Sequence, residues 1–171
     1  DDTQAIQNAF NNSLNHTVIF PAGNYKITNT IHAQASKVKA IIGYGAYVVY
    51  EGEEDVPAIL FSGSLTTGTA NPIDQTLSLS KSQHSPTISG LKIRCEYRYV
   101  GIGLKLQNLL APIISNVSVY GFKTGIELYD RLRNIIVEGC HVWDNEDYGI
   151  HWNGVNLHQN NIIGCHISRS K

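Results

Sequence analysis

Methionine is absent from all 171 residues, and the sequence is therefore expected to be part of a longer chain. Cysteine is scarce. Cys95, Cys140 and Cys165 are odd in number and lack the Cys-x-x-Cys spacing of a zinc or redox site. Charge is thin as well, at 16% Asp, Glu, Lys and Arg, where roughly a quarter is ordinary. The 13 Lys+Arg against 14 Asp+Glu leave a net charge of −1, without the basic surface that a nucleic-acid partner requires. No apolar run approaches the roughly 18 residues of a membrane span, so no membrane insertion is expected. The opening Asp1-Asp2-Thr3 has neither the basic nor the apolar part of a signal peptide.

What is present is 42% hydrophobic residues, 15 Gly and 9 Tyr, with abundant Ser, Thr and Asn. That mixture suits a β-rich, turn-rich body. Internal repeats organise the second half. Gly101-Ile102-Gly103-Leu104, Gly125-Ile126-Glu127-Leu128 and Gly149-Ile150-His151-Trp152 share Gly-Ile-x-(Leu/Trp), the first glycines 24 residues apart both times. A second series places Leu91, Val117, Cys140 and Cys165 at spacings of 26, 23 and 25 residues. Both alternate apolar and polar residues with period two, the mark of a half-buried strand. A circuit of short strands that repeats every 24 or so residues is a parallel β-helix. A leucine-rich repeat has a similar period, but its Leu-x-x-Leu-x-Leu-x-x-Asn signature and helical return are missing.

Stacking puts equivalent residues of adjacent coils roughly 4.8 Å apart. The expected inner ladders are Ile102/Ile126/Ile150, Leu104/Leu128/Trp152, Leu91/Val117/Cys140/Cys165 and Ile93/Val119/Val142/Ile167. The expected outer ladders are Lys92/Ser118/His141/His166, Gly103/Glu127/His151 and Lys105/Tyr129/Asn153. Cys140 and Cys165 are close enough to bridge, yet stacked buried cysteines more often remain small apolar thiols. Residues 1–12 are expected as a capping helix with Asp1 or Asp2 as N-cap and Ile6, Ala9 and Phe10 as its apolar stripe. Strands are expected at Thr17–Phe20, Tyr25–Thr28, Val38–Ile42, Ala46–Tyr50, Pro57–Phe61 and Thr76–Ser80, with loops at Gly52–Asp55 and Ser62–Gln75.

Asp1-Asp2-Thr3-x-Ala5-Ile6-Gln7, followed by Val18-Ile19-Phe20-Pro21-Ala22-Gly23-Asn24-Tyr25-x-Ile27, resembles the N-terminal signature of the pectate-lyase-like right-handed β-helix superfamily. Its members include pectin-active lyases and hydrolases, alginate epimerases and phage tailspike depolymerases. The motif covers residues 1–28, and the coils support it over 85–171. The fold class expected is all-β, a right-handed single-stranded parallel β-helix with a short N-terminal capping α-helix. The chain reads as one domain, 1–171, with irregular coils over 17–84 and regular coils over 85–171.

The resemblance implies a polysaccharide substrate and, for tailspikes, a homotrimer in the virion tail outside the cell. The leading expectation is a phage depolymerase. Its alternatives are a secreted pectate or alginate lyase or epimerase, and a non-catalytic glycan-binding spike segment. Sugar hydrolysis needs two carboxylates flanking the bond. Glu127, Asp144 and Asp147 are the candidate catalytic residues. Tyr129, His151, Trp143 and Arg131 are the candidate substrate contacts, the aromatics as stacking platforms and the arginines, with Arg94, Arg98 and Arg133, as grips for acidic sugars. Turn geometry and solubility alone also account for Asp144–Asp147. No metal site and no cofactor is expected, apart from Ca²⁺ if the chemistry is of the pectate-lyase type. The acidic stretch at 53–55 lacks Asp-x-Asp spacing and reads as a solvated turn.

Overall fold

The computed structural model of the chain describes residues 1–65, 81 and 85–170. Among the described elements, helix α1 (Thr3–Asn11) precedes a succession of parallel strands. The first coil holds β1 (His16–Ile19), β2 (Gly23–Ile27) and β3 (Ile31–Gln34), and the second β4 (Val38–Ile42), β5 (Ala46–Tyr50) and β6 (Pro57–Ser62). The third holds β7 (Thr87–Ser89), β8 (Lys92–Cys95) and β9 (Ile102–Leu110), and the fourth β10 (Ile113–Ser115), β11 (Ser118–Tyr120) and β12 (Thr124–Arg133). β13 (Ile136–Glu138), β14 (His141–Trp143) and β15 (Tyr148–His158) form the fifth, and β16 (Asn161–Ile163) and β17 (His166–Ser168) begin a sixth. The strand expected at Thr76–Ser80 and most of the expected Ser62–Gln75 loop lie outside the described residues, and Ser62 itself ends β6.

Three parallel sheets result. Sheet A runs β1-β4-β7-β10-β13-β16, sheet B runs β2-β5-β8-β11-β14-β17, and sheet C runs β3-β6-β9-β12-β15. Between them lies a core of stacked aliphatics: Ile41, Ile88, Ile114 and Val137 from sheet A, Val48, Ile93, Val119 and Val142 from sheet B, and Ile59, Leu104, Ile126 and Leu128 from sheet C, all at 0% exposure. No single coil encloses such a core, so its stability comes from the coils on either side. The corner from sheet A to sheet B is built the same way in four coils. Gly90, Asn116, Gly139 and Gly164 all adopt positive φ there, between +53° and +73°, a conformation open to Gly and tolerated by Asn.

The expected inner and outer ladders of sheet B are present: Val119 pairs with Ile93 and Val142, Val142 with Ile167, and Ser118 with Lys92 and His141. Those of sheet C are corrected by two residues in one coil. Leu104 stacks on Ile126 and Ile150, Leu106 on Leu128 and Trp152, and Ile102 on Thr124. The aligned glycines are therefore Gly103, Gly125 and Gly149. A methyl group on Gly103 would sit 2.3 Å from Val119 Cγ1, and one on Gly125 would sit 2.6 Å from the Gly149 carbonyl. Only glycine fits where sheet C leaves the corner. A shift of two keeps a strand's side chains on their faces, so Leu104 stays inside and Lys105 outside while the outer partners change. Gly103, expected on an outer ladder, instead faces Val119 and Phe122 in the core.

Two further corrections concern the ends. Trp152 faces inward but is 45% exposed, since among the described residues β15 is the last strand of sheet C. In α1, Ile6 and Phe10 are buried whereas Ala9 is exposed. Asp2 holds the N-cap position without a side-chain cap bond; the Asp1 carboxylate accepts the Thr3 N–H at 2.9 Å instead. The Asp2 carboxylate accepts the Lys26 N–H at 2.9 Å, its own N–H donates to the Lys26 carbonyl at 2.7 Å, and Gln7 makes the equivalent pair of bonds to His32. The helix thus hydrogen-bonds the open edges of sheets B and C as well as covering the lumen. All three cysteines are free thiols.

Candidate functional site

β9, β12 and β15 lie side by side in sheet C, and period-two alternation sends Lys105, Glu127 and His151 outward as one column. Glu127 is the unusual member. It is only 6% exposed although it stands on the outer face. Lys105 Nζ lies 2.9 Å from Glu127 Oε2, Asn153 Nδ2 donates to Glu127 Oε1 at 3.0 Å, and His151 Nδ1 is 3.8 Å from the same oxygen. Neighbouring coils thus supply a cation, an amide and an imidazole to one carboxylate. Burial of that charge is tolerable because it is paired and hydrogen-bonded.

The second outer column carries Gln107, Tyr129 and Asn153. Lys105 Nζ sits 3.7 Å from the Tyr129 ring centroid, so the same ammonium serves Glu127 and one aromatic face. A groove of about 200 Å³ opens between Tyr129, Asp130, Asn153 and Gly154. Asp130 has φ +59° at the irregularity in β12 and lies 4.0 Å from Arg131 Nε. The Asn108 side-chain amide, turned so that its nitrogen faces Asp130, donates to Asp130 Oδ2 at 3.0 Å. The His151 ring is stacked on Tyr148, centroids 4.2 Å apart.

Glu127, His151, Tyr129 and Arg131 therefore share one face. Asp144, Asp147 and Trp143 stand elsewhere, on or just after β14 of sheet B. Asp144 is 3.2 Å from Arg98 Nη2 and accepts the Tyr99 hydroxyl at 3.4 Å, tying the corner of the fifth coil to that of the third. Asp147 donates its N–H to the Lys123 carbonyl at 2.8 Å. Lys123 itself is held above its ordinary pKa by Asp55, 3.1 Å away, with Asp147 and Glu146 adding to the field. Trp143 stacks on Tyr120 at 4.3 Å with Arg169 over it, leaving it a link in an axial aromatic stack. No hydrogen bond or ion pair joins Asp144 or Asp147 to Glu127 among the described residues. Sequence reasoning named Lys105 and Asn153 as outer residues but missed their contacts with Glu127; the shift in register hid Lys105. Arg94 pairs with Glu96, so the arginines of sheet B are engaged within the protein.

Among the described residues no three His, Cys, Asp or Glu side chains converge as a metal site. Among the same residues no helix is long and apolar enough to cross a membrane.

A family model described as right-handed beta helix region matches residues 24–171. No curated protein matches the chain. Among solved structures, ORF18 of Geobacillus virus E2 is similar with a TM-score of 0.63 and 19% identity, over 96% of this chain and 38% of that one. This chain thus spans less than two-fifths of the length of the viral protein, and at that identity the likeness is one of fold. With stacked sheets, glycine-lined corners and a family match over most of its length, the chain belongs to the right-handed β-helix family.

Proposed function

We propose that this chain is a segment of a phage tail-spike β-helix that grips and cleaves a bacterial surface polysaccharide, working as a homotrimer outside the host cell. The observation that carries the reading is the outer face of sheet C. There a shielded carboxylate, Glu127, adjoins an imidazole and a groove lined by Tyr129, Asp130 and Asn153. The fold and the viral origin of a structural neighbour support it.

In the hydrolytic form of this reading a sugar ring sits in the groove against Tyr129 and Asn153. Glu127 and Asp130 are the two carboxylates that flank the bond, the requirement of glycoside hydrolysis. His151, within 3.8 Å of Glu127 Oε1, accepts or returns the proton that accompanies bond cleavage. Asp144, engaged by the third coil, and Asp147, whose N–H meets the fourth, keep the corner in shape. The measurement is oligosaccharide release from capsule or lipopolysaccharide by the purified protein. Release that Glu127→Gln abolishes supports the assignment; release unchanged in that variant removes Glu127 from the chemistry. Binding with no release selects a non-catalytic spike segment, a second reading favoured by the pairing of Glu127 with Lys105 and Asn153.

A further inference from the structure

Two histidines close an outer column of sheet B. Tyr47, Lys92, Ser118, His141 and His166 follow one another there, one residue per coil. His141 and His166 are a directly opposed pair of β14 and β17, and both are exposed. Val142 turns inward at 0% exposure, so alternation sends its neighbour His141 outward. The two rings stand edge to face with centroids 5.8 Å apart. Among the described residues neither imidazole enters a hydrogen bond or an ion pair.

That separation suits a shared ion. A metal–nitrogen bond of about 2.1 Å puts each ring centroid about 3.2 Å from the metal. Two imidazoles on one ion then hold their centroids about 5.2 Å apart at the tetrahedral angle and about 6.4 Å apart when opposite. The observed spacing falls between these limits. The nearby cations are engaged elsewhere. Lys92 Nζ donates to the Tyr47 hydroxyl at 3.0 Å and lies 4.7 Å from the centroid of that ring. Arg169 sits over Trp143 in the adjoining column.

We propose that His141 and His166 together chelate one divalent first-row transition ion of the zinc, nickel or copper class, with water in the remaining positions. Imidazole nitrogen is a ligand that these ions take, whereas Ca²⁺ and Mg²⁺ call for oxygen. The ion bonds one side chain from the fifth coil and one from the sixth, reinforcing a junction at which β14 and β17 meet through three residue pairs. The site lies on a different sheet from Glu127 and is independent of the function proposed there.

The test uses the full chain without an affinity tag, beside His141→Ala and His166→Ala. Both are changes at exposed positions, and circular dichroism verifies their folding. Calorimetry with Zn²⁺ is expected to show binding that each single variant weakens about a hundred-fold, the gain that a second linked ligand brings. Zn²⁺ should raise the melting temperature of the wild type and leave both variants unmoved, since only the native chain presents the pair. Cu²⁺, which binds nitrogen ligands more tightly than Zn²⁺, should give an electron paramagnetic resonance signature of two imidazole nitrogens that either variant abolishes. Wild-type affinity in both variants, or a loss in only one of them, overturns the chelate. Ca²⁺ bound as tightly as Zn²⁺ overturns the imidazole assignment. Absence of Zn²⁺ and Cu²⁺ binding overturns the inference outright.

Discussion

The Gln7 carboxamide meets the His32 peptide group at both ends: Gln7 Nε2 donates to the His32 carbonyl at 3.0 Å, and the His32 N–H donates to Gln7 Oε1 at 2.8 Å. One side chain on a helix thereby supplies what an adjacent strand would supply to β3, the edge of sheet C. Asp2 does the same for β2 through Lys26. The opening Asp-Asp-Thr-x-Ala-Ile-Gln motif is thus a set of edge-satisfying groups carried on a plug.

Gln7→Leu keeps the bulk but strands a donor and an acceptor at a partly buried edge. A loss of about 2 kcal/mol is expected, visible as a lower urea midpoint with unchanged m. The freed edge is also expected to favour self-association, read by light scattering. A variant that unfolds like the wild type would show that water replaces the amide at no cost.

Gly125→Ala and Gly164→Ala separate two reasons for glycine. A methyl group at 125 would lie 2.6 Å from the Gly149 carbonyl and 2.7 Å from Val142 Cγ1, neither free to withdraw, whereas nothing lies within 4 Å at 164 and only the φ of +59° opposes alanine. The expected destabilisation is about 3 kcal/mol at the first site, from overpacking. At the second it is about 1 kcal/mol, from the left-handed backbone. Thermal melts of the two variants rank them directly.

Lys105→Met leaves Glu127 without its cation in a site where the carboxylate side chain is 8% exposed. Breaking a well-buried pair on one side costs about 3 kcal/mol or more; here the lysine side chain retains 18% exposure, and about 2 kcal/mol is expected. Adding Glu127→Gln to that variant should recover most of the loss. A double-mutant cycle with additive effects would mean that the two groups do not act as a pair.

Burial pushes the Cys140 thiol up to about 12. At pH 8 its thiolate fraction is then roughly one part in ten thousand, so a disulfide reagent should label Cys140 only on unfolding, with half-buried Cys165 reacting first. In the unfolded chain the thiol ionises near its ordinary value of 9.0. Between pH 9 and 12 the unfolded state therefore binds fewer protons than the native one, and stability falls as pH rises, by up to about 1.4 kcal/mol per unit. Cys140→Ala should flatten that limb of the pH–stability curve.

The fold was legible because period two and period 24 are both direct consequences of stacking. Val119 over Ile93 and Val142 under it could be read from spacing alone. Register within sheet C was harder, since Gly101 and Gly103 are both followed by apolar-polar alternation. Gly103 is selected by the space inside the corner, where Val119 and Phe122 leave no room for a side chain, and that space exists only in three dimensions. The slip concealed Lys105 opposite Glu127 while leaving Glu127 beside His151 readable. β3 went unrecognised because Ile31–Gln34 is short and mixes small and polar residues.

Ala40, Ile41 and Ile42 of β4 pair with Thr87, Ile88 and Ser89 of β7 although residues 43–86 intervene, more than twice the separation of β10 from β13. Pairing across that gap resumes in perfect alignment because each rung is specified by its own three strands and not by the length of what hangs between them. Such a scaffold tolerates grafting: a segment inserted between two rungs can be exchanged while the stacked aliphatics of the described coils go on undisturbed.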